Sequence, residues 1–151
     1  MPGDIMEELY ELRKYLESGQ YNDALLLLDE MEAMSRDDKI TRMASFMEIL
    51  LLHLIKQAAE QHTTPSWDRS IHNALRHIIR TNKRRKAGGY YLTDAELLAA
   101  LEETFEDALY NASFETWGGQ HTAAELGAMI ERRAILQRAF ELLQHMQQTS
   151  A

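Results

Sequence analysis

The apolar residues of this chain recur at helical spacing in six segments. In the first, residues 5–18, they lie three or four positions apart, which places them on one face of an α-helix. Five further segments show the same period: 22–34, 37–61, 66–86, 94–115 and 123–146. Glycines and a proline separate several of the segments, and Thr93 and Thr122 each precede a glutamate at capping-box spacing. The pattern predicts a single domain, an all-α bundle of about six helices.

The third segment, 37–61, is the longest and the most apolar of the six. Its main apolar stripe repeats every three to four residues, and further residues such as Phe46 and Ile55 widen that stripe around the helix. A helix that is apolar on most sides has to be surrounded by other elements. The bundle is therefore expected to form around this third helix.

The first two segments are expected to form an αα-hairpin, because the short link through Gly19 leaves them antiparallel. Each has an apolar face that is expected to turn inward. The residues of these two faces are Ile5, Leu9, Leu12 and Leu16, then Tyr21, Ala24, Leu25, Leu28 and Met31.

Composition supports the helical interpretation and excludes several classes of protein. The 151 residues include 21 leucines, 18 alanines, 8 methionines and no valine, which favours helices over strands. The absence of cysteine excludes disulfide scaffolds, thiolate metal sites and cysteine nucleophiles. The longest apolar run, Ile49 to Ile55, is far shorter than the roughly 20 residues of a membrane span, and the chain starts without the pattern of a signal peptide. We therefore expect a cytoplasmic protein without membrane association.

The net charge of −8 is unevenly distributed along the chain. Residues 1–65 carry 13 acidic and 6 basic side chains, and residues 90–151 carry 10 and 3. Between them, residues 66–89 carry 1 acidic and 7 basic side chains. Overall acidity argues against general nucleic-acid binding, so the basic segment is considered separately.

At 100° per residue, the basic side chains of the fourth segment fall within one strip, opposite the apolar face that begins at Trp67. The candidate surface consists of Arg69, His72, Arg76, Arg80, Lys83, Arg84, Arg85 and Lys86. Tyr90 and Tyr91 follow it. Such a strip can be a solvated face neutralised by acids of the fifth segment, a docking surface for an acidic protein, or a track for a phosphate backbone with adjacent aromatic rings.

His53 lies in the middle of the most apolar segment, and Trp67, at the start of the next helix, is expected to pack beside it. These two residues are a candidate pocket, in which His53 acts as a ligand or general base. The alternative is a neutral core histidine that hydrogen-bonds to Ser66, Trp67 or a loop carbonyl. No other catalytic constellation occurs, and His72 and His77, five positions apart, lie on different helix faces. The sequence predicts no catalytic site, no metal and no cofactor.

Three stretches carry a family resemblance: Ile49–Lys56, an apolar helix with His53 and Lys56; Ser66–Ile71, which begins Ser-Trp; and the amphipathic Leu97–Trp117. In this order and spacing they resemble the bacterial family named domain of unknown function twenty-nine. Its members show a Leu-Leu-x-His-Leu-Leu-Lys helix followed by a Ser-Trp-x-x-x-Ile helix start. The resemblance covers about Leu9 to Trp117 and implies an all-helical fold without implying an activity.

The sequence favours a non-catalytic protein-interaction module that self-associates. The last segment has a second row of apolar residues beside its main face, Ile135, Ala139, Leu142 and Met146, which can seat a second chain. The partner is then another protein or another copy of this chain. One alternative is a nucleic-acid-binding or regulatory protein that uses the basic helix 69–86, and a weaker one is an enzyme with a pocket at His53.

Overall fold

A computed structural model of the chain describes residues 5–84 and 88–149. Within these ranges the chain forms six α-helices and one short 3₁₀ turn, Thr116–Gly119. The helices are α1 (Ile5–Glu17), α2 (Tyr21–Glu60), α3 (Pro65–Asn82), α4 (Asp94–Glu115), α5 (Ala123–Ala128) and α6 (Arg132–Thr149). The predicted all-α bundle of about six helices is confirmed. None of the described helices has the length and apolar character needed to cross a membrane.

The division into helices differs from the prediction in the first half of the chain. The second and third predicted segments are one continuous helix, α2, since the link at Ser35 and Arg36 contains neither glycine nor proline to stop it. The chain divides into two compact units, residues 1–40 and residues 41–151. The boundary falls inside α2.

The start and end of α3 are fixed by side-chain hydrogen bonds. The N-cap is Thr64, whose Oγ1 accepts a hydrogen bond from the Trp67 amide, and Pro65 occupies the first helical position. The helix ends at Asn82, four residues earlier than predicted, because the Asn82 carbonyl and side chain accept hydrogen bonds from the amides of Tyr91 and Leu92. These bonds fold the chain back on itself. Arg85 and Lys86 lie outside the described residues.

The two predicted capping boxes begin α4 and α5. At the second, Oγ1 of Thr122 accepts from the Glu125 amide, and the Glu125 carboxylate accepts from the Thr122 amide. The bond from the Thr122 amide is the main reason that the pKa of Glu125 is lowered. The sixth predicted segment is not one helix, because α5 ends at Ala128 and α6 begins only at Arg132.

The core of residues 41–151 forms around the C-terminal part of α2. Met43, Met47, Leu50, Leu51 and Ile55 have no solvent exposure, which agrees with the central position that the apolar pattern predicts. α6 packs against both α3 and α4, and α5 packs against α4. The other helices contribute buried residues that include Ile78, Leu97, Leu101, Phe105, Leu126 and Leu143.

The second apolar row of the last helix is not a free surface. Ile135 is 5% exposed and Ala139 is fully buried, so both belong to the core of this chain. Leu142 and Met146, farther along the same row, are half-buried. The proposal that this row seats a second chain is therefore wrong, because helix packing within the chain already covers its centre.

Truncating the central part of α2 is expected to destabilise the fold strongly. Leu51 and Leu54 are buried, so replacing either by alanine leaves a cavity and should lower the free energy of unfolding by about 2–5 kcal/mol. Asn73 is exposed on α3, and Asn73→Ala should change it by less than about 0.5 kcal/mol. Chemical denaturation monitored by circular dichroism measures both. Parent-like unfolding of the leucine variants would contradict a central position for this helix.

Candidate interaction surfaces

The cationic residues of α3 lie on its exposed side, opposite a buried apolar face that includes Ile71, Leu75 and Ile78. We call the exposed set the basic strip and define it by Arg69, His72, Arg76 and Arg80 of α3 with the adjoining Lys83 and Arg84, all of them exposed. Along α3 it extends over about 16 Å, the length of eleven helical steps.

The cations of the basic strip have no carboxylate partner among the residues that the structure describes. The acids of α4 were expected as possible partners, but Glu106 pairs with Arg132 of α6 instead. Arg84 lies 5.6 Å above the centre of the Tyr91 ring, a cation–π distance. The fold therefore leaves the positive charges of this strip in solvent, although the chain as a whole is acidic.

A second exposed strip, on α4, combines carboxylates with aromatic rings. Glu103, Asp107, Tyr110 and Phe114 follow one another at intervals of four, three and four residues and form what we call the acidic–aromatic strip. Tyr110 is 58% exposed and Phe114 is 62% exposed, and their rings meet edge to face at 5.1 Å. Sequence reasoning missed this strip. Its signal was available in the helical spacing of aromatic residues outside the apolar face of α4.

His53 and Trp67, the two residues of the candidate pocket, have different partners among the described contacts. His53 is half-buried, and its Nδ1 donates to the carbonyl of Ile49 on its own helix at 2.9 Å. This backbone carbonyl takes the place of Ser66 and Trp67 as the predicted partner. No described hydrogen bond joins His53 to a carboxylate or a hydroxyl group, which are the groups that a general base needs beside it.

Trp67 instead covers a buried lysine. The ammonium of Lys56 lies 4.7 Å from the centre of the indole ring and 3.1 Å from Oε1 of Glu115, and Lys56 is only 7% exposed. His62 stacks on Trp67 at 5.0 Å. The Lys56–Trp67–Glu115 contact joins α2, the start of α3 and the end of α4. Lys56, Trp67 and Glu115 all lie in stretches that carry the family resemblance, but the sequence pattern does not indicate that the three side chains meet.

The N-terminal hairpin, formed by α1 and the first turns of α2, leaves its large apolar side chains in solvent. Of the predicted inward face, Ala24 is buried, whereas Leu9, Leu16 and Tyr21 are between 46% and 63% exposed. The prediction that these residues turn inward is wrong, because two helices can cover only one strip of each other. We define the hairpin surface by its exposed residues: Met6, Leu9, Tyr10, Leu16, Tyr21, Leu25, Leu26 and Leu28.

Acidic side chains accompany the hairpin surface. Residues 1–40 carry 11 acidic and 4 basic side chains, a net charge of −7. An open cleft of about 770 Å³ on this unit is lined by four carboxylates, Glu7, Glu8, Glu11 and Glu30, together with Lys14. The hydrogen bond from Tyr15 to Glu11 is the main cause of a raised pKa for Tyr15, with further contributions from the charges of nearby carboxylates. The unit is therefore both apolar and strongly anionic at its surface.

The described residues contain no group of three histidine or carboxylate side chains arranged to hold a metal ion. His72 and Glu103, for example, belong to the two exposed strips, where each is surrounded by solvent. What the surfaces offer is recognition by charge, aromatic rings and apolar contact.

The Lys56–Trp67–Glu115 contact is expected to respond unequally to removal of its two charges. Glu115→Gln leaves the Lys56 ammonium buried without a carboxylate, and should lower the free energy of unfolding by about 1–2 kcal/mol. Lys56→Met keeps most of the aliphatic volume and removes the buried charge, so it should cost less than Glu115→Gln. Thermal and denaturant unfolding measure the difference. A larger loss for Lys56→Met would contradict this account of the contact.

Comparison with known proteins identifies the family of the chain. The family model described as Domain of unknown function DUF29 matches residues 9–140. The match begins where the sequence resemblance begins and extends beyond Trp117 through α5 and into α6. Neither a curated protein nor a solved structure matches the chain. Since the match covers most of the 151 residues and the structure is all-helical, the chain belongs to the family of domain of unknown function DUF29.

Proposed function

We propose that this protein is a non-catalytic interaction module that self-associates through the hairpin surface. The observation that carries the proposal is the exposure of eight large apolar side chains on the N-terminal hairpin, each at least 36% exposed. Large apolar side chains that are exposed together on one unit typically mark a protein–protein contact. The proposal keeps the function expected from the sequence and moves its surface from the last helix to the first two.

A second copy of the chain is the occupant that fits the geometry of the hairpin. A two-helix unit cannot cover its own apolar faces, and stacking a like unit against it buries them in a four-helix arrangement. A twofold contact of this kind uses the same surface on both copies. Leu25 and Leu26, 59% and 63% exposed on α2, are the leucines with most to gain from such burial.

The negative charge of the hairpin opposes this contact, so self-association through the hairpin surface is expected to depend on salt. Two hairpins with a net charge of −7 each repel one another at low ionic strength. Added salt screens that repulsion, since the Debye length falls from about 30 Å at 0.01 M to about 3 Å at 1 M. The apolar contribution is not screened. Association through the hairpin surface is therefore expected to tighten as salt is added.

Replacing Leu25 and Leu26 together by glutamine is expected to weaken self-association at least about tenfold, because two exposed apolar side chains leave the contact. Sedimentation velocity over a series of protein and salt concentrations measures this change. Helicity and melting temperature should stay close to those of the parent, since both side chains are exposed.

A matched variant outside the hairpin controls for the general loss of apolar surface. Ile49→Gln with Met129→Gln removes two apolar side chains that are 40% and 46% exposed in residues 41–151. This control should associate like the parent. Unchanged association of the Leu25 and Leu26 variant, or an equal loss in the control, would contradict the assignment of the contact to the hairpin.

A second candidate function is nucleic-acid binding through the basic strip. The observation that favours it is the set of exposed cations without described carboxylate partners, followed by Tyr90, which is 40% exposed. Cations neutralise phosphates and exposed rings stack on bases. Against it stands the excess of acids elsewhere on the chain.

The nucleic-acid alternative predicts a specific effect of Arg76→Gln with Arg80→Gln. Both residues are exposed, so the fold should survive with little loss. If the strip follows a phosphate backbone, affinity for a single-stranded oligonucleotide should fall, and the slope of log K against log salt should shrink by up to about two units. Fluorescence anisotropy at several salt concentrations measures both quantities. Absence of oligonucleotide binding by the parent would exclude this alternative.

A further inference from the structure

The exposed faces of α3 and α4 match each other in length and differ in charge. The basic strip places Arg69, Arg76 and Arg80 at intervals of seven and four residues. The acidic–aromatic strip places Glu103, Asp107 and Phe114 at intervals of four and seven residues. Read in opposite directions, the two spacings are identical, and each covers about 16 Å of helix.

An antiparallel alignment of the two strips brings complementary groups together along their whole length. Arg80 then lies opposite Glu103, and Arg76 lies opposite Asp107, which makes two cation–carboxylate pairs. In the same register Arg69 lies opposite Phe114, a cation facing an exposed ring. His72 falls one position from the residue opposite Tyr110, within reach of that ring.

Within one chain, no described ion pair joins the basic strip to the acidic–aromatic strip. α3 packs on α6, and α4 packs on α5 and α6, so each strip is the outward face of its helix. Among the described residues, neither Glu103 nor Asp107 forms an ion pair, and the basic strip has no carboxylate partner. Both sets of charges are therefore available to another molecule.

We propose that a second copy of this chain occupies the basic strip, with the acidic–aromatic strip of its α4 lying antiparallel to α3. The contact uses different surfaces on the two copies, so each copy keeps one strip free for a further neighbour. Contacts of this kind produce rings or open chains of subunits. The inference goes beyond the hairpin surface, because it adds a second, electrostatic contact to the self-association proposed above.

The contact is small and charged, and these two properties determine its expected strength and its dependence on salt. One pair of exposed helix faces buries less than the area of a standard interface, so it should be weak and concentration-dependent. Its ion pairs are screened by salt, so it should weaken as salt is added. This direction is opposite to that expected for the hairpin surface.

The test reverses the charges of each strip in turn and then of both strips in one chain. All proteins carry Leu25→Gln and Leu26→Gln, which weaken the hairpin contact and leave both strips intact. At about 50 mM salt, sedimentation velocity should show association that falls about tenfold or more with Arg76→Glu and Arg80→Glu, and equally with Glu103→Lys and Asp107→Lys. The chain that carries all four reversals should associate again, since each ion pair is restored with its charges exchanged.

Mixing the two strip variants gives an independent readout. The Arg76→Glu and Arg80→Glu variant keeps a native acidic–aromatic strip, and the Glu103→Lys and Asp107→Lys variant keeps a native basic strip. Neither should associate alone, and an equimolar mixture should form mixed complexes. As a control, Arg133→Glu with Arg138→Glu changes the net charge by the same amount as Arg76→Glu with Arg80→Glu, at exposed positions of α6, and should leave association unchanged.

Several results would overturn the proposal. The first is association that does not change when either strip is reversed. The second is association that does not recover in the chain with four reversals. The third is an equal loss of association in the Arg133 and Arg138 control. Oligonucleotide binding that depends on Arg76 and Arg80, in a protein whose strips do not associate, would assign the basic strip to nucleic acid instead. If circular dichroism shows that a charge reversal lowers helicity, a milder variant of the same strip replaces it. Arg76→Gln with Arg80→Gln serves for the basic strip, and Tyr110→Ser with Phe114→Ser serves for the acidic–aromatic strip. Each of these variants should weaken association. Failure of these experiments leaves the hairpin proposal standing, because the hairpin contact is weakened equally in every protein used and is not what the strip variants change.

Discussion

Burial of the C-terminal part of α2 is the constraint on which the structure of residues 41–151 depends. A segment with Met43, Met47, Leu50, Leu51 and Ile55 fully buried needs apolar surface on several sides. α3, α4 and α6 each supply an apolar face to the same core. Their polar faces must then point outward. The basic strip and the acidic–aromatic strip are therefore consequences of the same packing, each the reverse side of a helix that the core holds in place.

The N-terminal hairpin shows the opposite balance between apolar residues and partners. Its leucines are as regularly spaced as those of the core helices, but two helices provide too little surface to cover both faces. Leu25 and Leu26 remain more than half exposed, whereas the smaller Ala24 is buried. A regular apolar pattern thus predicts which face of a helix needs to be covered, but it does not predict whether the same chain covers that face. This is the physical reason for placing the contact with a second copy here.

The sequence predicted the helical class, the central position of segment 37–61 and the family, and it failed where tertiary contacts decide the outcome. The single helix α2 was predicted as two segments, 22–34 and 37–61, although Ser35 and Arg36 between them can continue a helix. The end of α3 was predicted too late in the chain. Asn82 and Leu92, which are joined by hydrogen bonds, lie ten positions apart in the sequence, and such a contact leaves no periodic signal. The basic face of α3 was visible from spacing alone, whereas Glu115 beside Lys56 required the fold.

The segregation of charge along the chain sets a limit on how the two proposed contacts can combine. The hairpin brings like charges together, and the strips bring unlike charges together, so salt shifts the balance between them. At low salt, alternating strips favour head-to-tail chains whose hairpins repel one another. At high salt, the strips are screened and paired hairpins remain, which closes the assembly as a twofold dimer. If both proposed contacts form on this acidic chain, ionic strength is expected to select the form of the assembly as well as its strength.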